Sequence, residues 1–273
     1  MKKTKNFSTS PLPFMGQKRN FLKNFVKALE NFPKNAIYVD LFGGSGLLSH
    51  TVKDHFPEAT VIYNDYDNFS ERLQNIDKTN VLIADIRKIL IDYPRNKMIV
   101  GSHRERVLAR LEQEASIGYV DYLTVSSSIL FSMKYFTSIE EFRTASLYNC
   151  IKRNNYNSEG YLSGVTTVSA DYKELFIQYK NVPNVVFLVD PPYLATESKP
   201  YKNYWKLSDY LNVLNVLEGT RYFYFTSNKS SIIELCDWVQ NSTVRNPFAN
   251  AQKVEMTAST TYNSSYTDIM VFK

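Results

Sequence analysis

Ala36 to Phe42 (Ala-Ile-Tyr-Val-Asp-Leu-Phe) is a largely apolar run that passes directly into Gly43-Gly44-Ser45-Gly46. The run has the length and composition of a buried strand. Three of the nine glycines of the chain fall in the four residues that follow it, so the backbone there can turn tightly and approach a ligand closely. Leu47, Leu48, His50, Thr51 and Val52 continue as a helix, and Thr60 to Tyr63 form a second strand that ends at Asn64-Asp65. Strand, glycine turn, helix and strand within about 30 residues make the opening unit of a doubly wound parallel sheet.

The flanking sequence extends the same α/β pattern. Phe21, Leu22, Phe25, Val26 and Leu29 recur at helical spacing between Gln17 and Asn31, and Pro33 stops the helix. Sheet-type sequence returns at Val165 to Ser169 and at Val185 to Val189, an all-apolar run expected of a strand covered on both faces. A helix at Ser208 to Leu217, a strand at Arg221 to Thr226 and a helix at Lys229 to Val239 follow. Lys253 to Ala258 and Asp268 to Phe272 then predict a closing hairpin. Between Leu82 and Ser163 the glycine turns vanish and helical patterns rich in Arg, Lys, Ser and Tyr take over. The expected organisation is a first part of one α/β domain over 1–81, an inserted helical lobe over 82–163 that ends in the loop Tyr156 to Gly164, and the rest of the domain over 164–273.

Composition narrows the class. With 273 residues, 44% of them hydrophobic and 22% charged, the chain has ample apolar surface for a core and too little charge for disorder. One large domain, or one carrying an insertion, suits that length. No apolar run approaches the roughly 18 residues of a spanning helix, and the basic Met1 to Ser10 is followed by Pro11-Leu12-Pro13 and not by a continuous apolar segment. A cytoplasmic protein without a signal peptide is the expectation. Two cysteines, Cys150 and Cys236, make neither a disulfide framework nor a zinc site, and His50, His55 and His103 lack metal-ligand spacing, so no metal is expected. A net charge of +5 permits a polyanionic partner without demanding one. Of the 20 Tyr and 17 Phe most serve as core, yet Lys199 to Lys206 interleaves aromatic rings with cations, a composition that can stack bases and meet phosphates.

Open α/β sheets bind ligands at the carboxyl ends of their strands. Four such ends carry polar residues: Asp40 with Gly43 to Gly46, Asn64-Asp65, Asp190 to Tyr193, and Ser227-Asn228. Asp65 lies about 20 residues beyond the glycine turn, where an acid can take a ribose hydroxyl pair. Asp40, Asp65 and Asp190 converging on one edge suit a cationic cofactor better than a pyrophosphate, which favours S-adenosylmethionine over a dinucleotide. Lys18, in Phe14-Met15-Gly16-Gln17-Lys18, either offsets those charges, meets a methionine carboxylate, or is simply solvated. Asp190-Pro191-Pro192-Tyr193 is the sharpest local signal. Two prolines after a buried strand forbid further ladder pairing and hold the Asp190 side chain and the neighbouring carbonyls in a fixed, acceptor-only array. Such an array matches the two N–H donors of an exocyclic amino group, over whose ring Tyr193 can stack.

Lys18 in its Gly-x-Lys context, Asp40-Leu41-Phe42-Gly43-Gly44-Ser45-Gly46, Asn64-Asp65, a variable middle lobe and Asp190-Pro191-Pro192-Tyr193, in that order, resemble the α-group DNA N6-adenine methyltransferases of the bacterial and T-even phage type. The resemblance implies a Rossmann-like methyltransferase fold with a C-terminal hairpin. It implies S-adenosylmethionine held by Lys18, Asp40, Phe42, Gly43 to Gly46, Asp65 and Asp190, with Asp171 and Tyr172 beside its adenine. Asp190, Pro191, Pro192 and Tyr193 would form the catalytic box acting on an adenine flipped out of double-stranded DNA. The middle lobe would supply the DNA reader from Arg87, Lys88, Arg95, Lys97, Arg104, Arg106, Arg110, Lys134, Arg143, Lys152 and Arg153. A monomer or weak dimer, with or without a cognate restriction endonuclease, fits this reading. Phe14 stands where a tyrosine is more usual, and the lobe matches no target-recognition sequence. Open alternatives are methylation of another amino group, such as N4 of cytosine or an RNA base, a nicotinamide-dependent oxidoreductase using Gly44-Ser45-Gly46, and a DNA-binding protein without turnover.

Overall fold

The computed structural model describes residues 7–131, 135–192, 207–228, 230–240, 246–261 and 264–273. Tyr193, the Lys199 to Lys206 stretch, Lys134 and Lys229 lie outside the described residues. In chain order the elements are a 3-10 turn Arg19–Phe21, α1 (Leu22–Leu29), β1 (Ile37–Asp40), α2 (Leu47–His55), β2 (Thr60–Asn64), α3 (Phe69–Gln74), α4 (Ile76–Ile89), α5 (Gly101–Ile117), α6 (Tyr122–Ile129), α7 (Ile139–Thr144), β3 (Thr166–Val168), α8 (Tyr172–Tyr179), β4 (Val185–Val189), α9 (Leu207–Leu217), β5 (Tyr222–Ser227), α10 (Ile232–Gln240), β6 (Gln252–Thr261) and β7 (Ser264–Phe272). The chain divides into two compact units, one of Met1–Thr9, Gly16–Asn68 and Gly160–Lys273, the other of Ser10–Met15 and Phe69–Glu159.

The first unit is an α/β domain on a seven-stranded sheet of order β3-β2-β1-β4-β5-β7-β6. The β1–β2, β2–β3, β1–β4 and β4–β5 pairs are parallel, whereas β7 runs antiparallel to both β5 and β6. The period-2 alternation of strands sorts the core onto two faces. Tyr38, Val61, Val186, Leu188, Phe223 and Phe225 pack against Phe25 and Leu29 of α1 and Leu48 and Val52 of α2. Val39, Ile62, Phe187, Val189, Tyr222 and Tyr224 point the other way, onto Leu175 of α8, Val213 and Val216 of α9 and Ile232 of α10. Because both faces are covered, β4 is apolar throughout, as its sequence predicts. The chain winds outward from β1 through β2 to β3 and then returns to β4 on the other side of β1. The carboxyl ends of β1 and β4 therefore flank the topological switch point, where open sheets hold ligands.

The second unit is helical, α3 to α7 around Val107, Leu111, Val125, Ile129 and Phe142. It opens at Phe69 and closes at Glu159, a division that differs from the 82–163 span expected from the sequence. The difference has two physical sources. The stretch Ser10–Met15 and the start of α3 hold each other, since Arg72 donates to the Pro13 carbonyl at 2.8 Å and Phe14 meets Phe69 edge to face at 5.7 Å. At the other end, Tyr161 and Leu162 pack on elements of the first unit. Arg72 also forms a buried ion pair with Asp121, the N-cap of α6, whose side chain accepts from the Thr124 amide. The 3-10 turn and α1 replace the single helix predicted over Gln17 to Asn31.

Candidate active site

Asp40 is the last residue of β1 and Asp190 the first after β4. Leu188 pairs with Asp40 across the parallel β1–β4 ladder, so the two acids leave adjacent strands at the same edge. Lys18 joins them from the turn before α1. Its Nζ lies 2.6 Å from Asp190 Oδ2 and donates also to the Gly16 carbonyl at 2.9 Å. Both side chains are largely withdrawn from water, 8% and 17% exposed. Of the roles open to Lys18 in the sequence, the structure shows the balancing of a carboxylate. Burial raises the Asp190 carboxyl above its ordinary range, with Lys18 opposing the rise.

Asp40 is fully buried. Ser49, on the first helical turns after the glycines, donates to its Oδ2 at 2.7 Å, while Oδ1 meets no donor in hydrogen-bonding geometry among the described residues. Burial pushes its carboxyl up to about 7; the Ser49 hydroxyl, the Phe42 amide and the charge of Lys18 oppose this, and the charge of Asp190 adds to it. A buried carboxylate oxygen without a partner is costly, and a cation is the partner that relieves it best.

The glycine turn is shaped by what surrounds it. Gly44 and Gly46 sit at φ 51° and 73°, in the left-handed region that glycine enters without steric cost. Gly43 has no room for a side chain, because a Cβ there would fall 2.3 Å from the Tyr63 ring and 2.7 Å from the Asn64 carbonyl. Gly43→Ala is therefore expected to destabilise the domain by about 1–3 kcal/mol, the usual cost of overpacking a close-packed site. Urea denaturation checks this, and an unchanged midpoint would count against the tight packing. The Tyr63 hydroxyl donates to the Gly44 carbonyl at 2.7 Å and lies 3.0 Å from Asp65 Oδ1, which ties the turn to the end of β2. Asn64 exchanges hydrogen bonds with Ala170 and donates to the Leu41 carbonyl, fixing the ends of β1, β2 and β3 to one another.

Phe42 and Tyr172 stack loosely beside the turn, their ring centroids 4.9 Å apart. The Asp171 carboxylate accepts the Lys173 amide at 2.8 Å and caps α8. Pro191 is buried. Asn228 joins β5 to β7 through paired bonds with Thr267, which gives it a place in the sheet. The sequence reading passed over Ser49 and Tyr63. Both are distinguished only by what they touch across the fold, though Ser49 does fall at helical spacing behind the glycine turn.

Of the basic residues pooled from the middle lobe, Arg87, Arg95 and Arg104 donate to backbone carbonyls of their own unit. Lys88, Arg110 and Arg143 pair with Asp85, Glu114 and Glu112. Lys97, Arg106 and Arg153 are exposed. Among the described residues no group of three or more His, Cys, Asp and Glu is placed to hold a metal ion, and no helix is long and apolar enough to cross a membrane.

A parallel sheet with a glycine turn and buried carboxylates at its switch point defines an α/β enzyme of the Rossmann-like, nucleotide-cofactor class. A family model of D12 class N6 adenine-specific DNA methyltransferases matches residues 14–212. A protein of Haemophilus influenzae named "Putative methyltransferase" is 36% identical over 283 residues, an alignment covering 100% of this chain and 95% of the relative. The chain belongs to the D12 class N6 adenine-specific DNA methyltransferase family. Among solved structures, a tRNA methyltransferase of M. jannaschii aligns at 10% identity and TM-score 0.35 over 92% of this chain, which spans 48% of that one. An rRNA methylase of Streptococcus thermophilus aligns at 11% identity and TM-score 0.35, over 95% of this chain and 99% of that one. Superpositions this loose carry no argument, and the assignment rests on the family match and the Haemophilus relative.

Proposed function

We propose that this protein transfers a methyl group from S-adenosylmethionine to N6 of an adenine extruded from double-stranded DNA. The observation that carries the reading is the largely buried Lys18–Asp190 pair at the end of β4, set directly before Pro191-Pro192 and beside Asp40. The cofactor fits the residues present. Asp40, one of whose buried oxygens meets no donor in hydrogen-bonding geometry among the described residues, suits the ammonium of its methionine part. The glycine turn admits its close approach, Asp65 suits the ribose hydroxyls, and Phe42 with Tyr172 offers aromatic faces to its adenine. When bound, the cofactor supplies an electrophilic methyl group on a positively charged sulfur.

The residues of the chain do the rest by placement. Asp190 and the carbonyls of the Asp-Pro-Pro-Tyr box accept both N–H bonds of the target amino group. They thereby hold its nitrogen with the lone pair free of the ring. As that nitrogen gains positive charge, a fixed carboxylate stabilises it more than it stabilises the neutral amine, so the arrangement favours the transition state. Pro191 and Pro192 keep the acceptors from relaxing toward the charge, and the Lys18 ammonium opposes protonation of the carboxylate. Tyr193 completes the pocket by stacking on the base. A base within a duplex is closed to such a pocket, hence flipping is part of the proposal. The helical unit serves as the DNA reader, with Lys97, Arg106 and Arg153 as its phosphate contacts, since most of the other cations are engaged internally.

Incubation with methyl-labelled S-adenosylmethionine and unmethylated duplex DNA, followed by digestion to nucleosides, tests the reading. Label in N6-methyladenine is the expected outcome. Label in N4-methylcytosine, label only with RNA, or binding without any label would each overturn it.

A further inference from the structure

Two tyrosine hydroxyls grip adjacent carbonyls of the glycine turn. Tyr63, from β2, takes that of Gly44, and Tyr161 takes that of Ser45 at 2.8 Å. Tyr161 belongs to Gly160–Gly164, the stretch by which the chain re-enters the first unit after Glu159. Leu162, next to it, occupies φ 59°, a left-handed conformation that a leucine adopts only at a cost of about 1–3 kcal/mol. Its amide donates to Nδ1 of His50 at 3.4 Å, and its side chain fills the space beside Gly46 so closely that a Cβ on that glycine would fall 2.8 Å from it. His50 is 5% exposed, lies in the first turns of α2, and donates its own amide to the Gly46 carbonyl at 2.8 Å. Phe7 closes the cluster, its ring 5.4 Å from that of His50 and 5.0 Å from that of Tyr161. Burial lowers the His50 pKa, which keeps Nδ1 available as an acceptor.

We infer that Tyr161, Leu162 and His50 are positioning residues that clamp the glycine turn from behind and hold its backbone amides in the orientation that receives the cofactor. A turn with two glycines at positive φ has many conformations open to it without ligand, and binding selects one of them. Tying down its carbonyls removes that loss in advance, so the clamp acts on cofactor affinity and leaves the chemical step alone. The strained backbone of Leu162 is consistent with this, because a left-handed leucine persists only where its surroundings over-determine it. The inference rests on the cofactor reading above, and deepens it by adding residues that touch neither cofactor nor base.

The test uses the full chain with Tyr161→Phe, His50→Leu and His50→Asn. Asparagine places an acceptor oxygen near the position of Nδ1, so it is the conservative variant. Calorimetric titration with S-adenosylhomocysteine is expected to show Kd raised about three- to tenfold for Tyr161→Phe and His50→Leu, the size of one lost hydrogen bond. His50→Asn is expected within about twofold of the parent. Turnover at saturating S-adenosylmethionine is expected to stay near the parent value while KM rises. Hydrogen exchange on the ligand-free proteins gives a second readout: faster exchange confined to 43–48 in the two disruptive variants, with β5 unchanged. Unchanged exchange at 43–48, or exchange accelerated equally in every strand, would overturn the inference. If the parent protein fails to bind S-adenosylhomocysteine, the cofactor reading falls, and the exchange comparison still decides whether the clamp exists.

Discussion

Replacing Asp190 with alanine is expected to lower kcat for adenine methylation by about a thousandfold or more while DNA affinity stays within a few-fold. The asymmetry follows from where Asp190 acts. In the proposed reaction its carboxylate meets a charge that exists only as the methyl group moves, whereas DNA affinity would come mainly from phosphate contacts made elsewhere. Asp190→Asn is expected to fall between the parent and the alanine variant, because the amide oxygen still accepts one N–H but carries no charge. Both changes remove the carboxylate charge that Lys18 meets at 2.6 Å. Breaking a fully buried pair costs about 3–5 kcal/mol, and the cost here is smaller because the Asp190 side chain keeps 17% of its exposure. Thermal midpoints measured beside single-turnover rates separate that loss from the chemical one. An alanine variant as active as the parent would remove Asp190 from the transition state, and a parallel loss of DNA affinity would assign it to binding.

The legible part of this molecule is the part written in local sequence. The aromatic run Tyr222 to Phe225 and the unbroken apolar run of β4 announce their strands, and Pro191-Pro192 announces where β4 ends. Gly43 to Gly46 marks the switch point because no other four residues combine so much backbone freedom with a preceding strand. What the sequence hides is partnership at long range. Lys18 and Asp190 are 172 residues apart, and Tyr161 reaches Ser45 across 116. The division between units falls at Phe69 because Arg72 and Phe69 find their partners in Pro13 and Phe14. That pairing has no periodicity to betray it. His50 illustrates the same limit: in sequence it is one of three histidines without metal-ligand spacing, and only its contact with Leu162 shows it as an acceptor in a packed cluster.

Asp40→Asn is expected to act in opposite directions on stability and on cofactor affinity. The Asp40 carboxyl rises from 3.8 to about 7 on folding, chiefly through burial. The folded protein thus keeps a proton that the unfolded chain sheds between those two values. The stabilisation linked to that proton is complete below about pH 4 and is lost as the pH climbs toward 7. Above pH 7 the ligand-free protein carries a buried carboxylate, one oxygen of which meets no donor in hydrogen-bonding geometry among the described residues. Asparagine keeps the acceptor for Ser49 and removes the charge. The variant should therefore match the parent near pH 4 and exceed it at pH 8 by an amount on the order of a few kcal/mol, at about 1.4 kcal/mol per unit of displacement. Denaturant titrations across that range read the difference. In the proposed site the same charge would attract the ammonium of the cofactor, so the Kd of S-adenosylhomocysteine is expected to rise about 10- to 100-fold in the variant, the worth of a hydrogen bond to a charged group. A site that weakens the empty protein and strengthens the loaded one is how strain at a binding pocket is ordinarily retained. If Asp40→Asn stabilises the protein at pH 8 yet binds S-adenosylhomocysteine as the parent does, Asp40 is a buried acid of the sheet and the ammonium belongs to another partner.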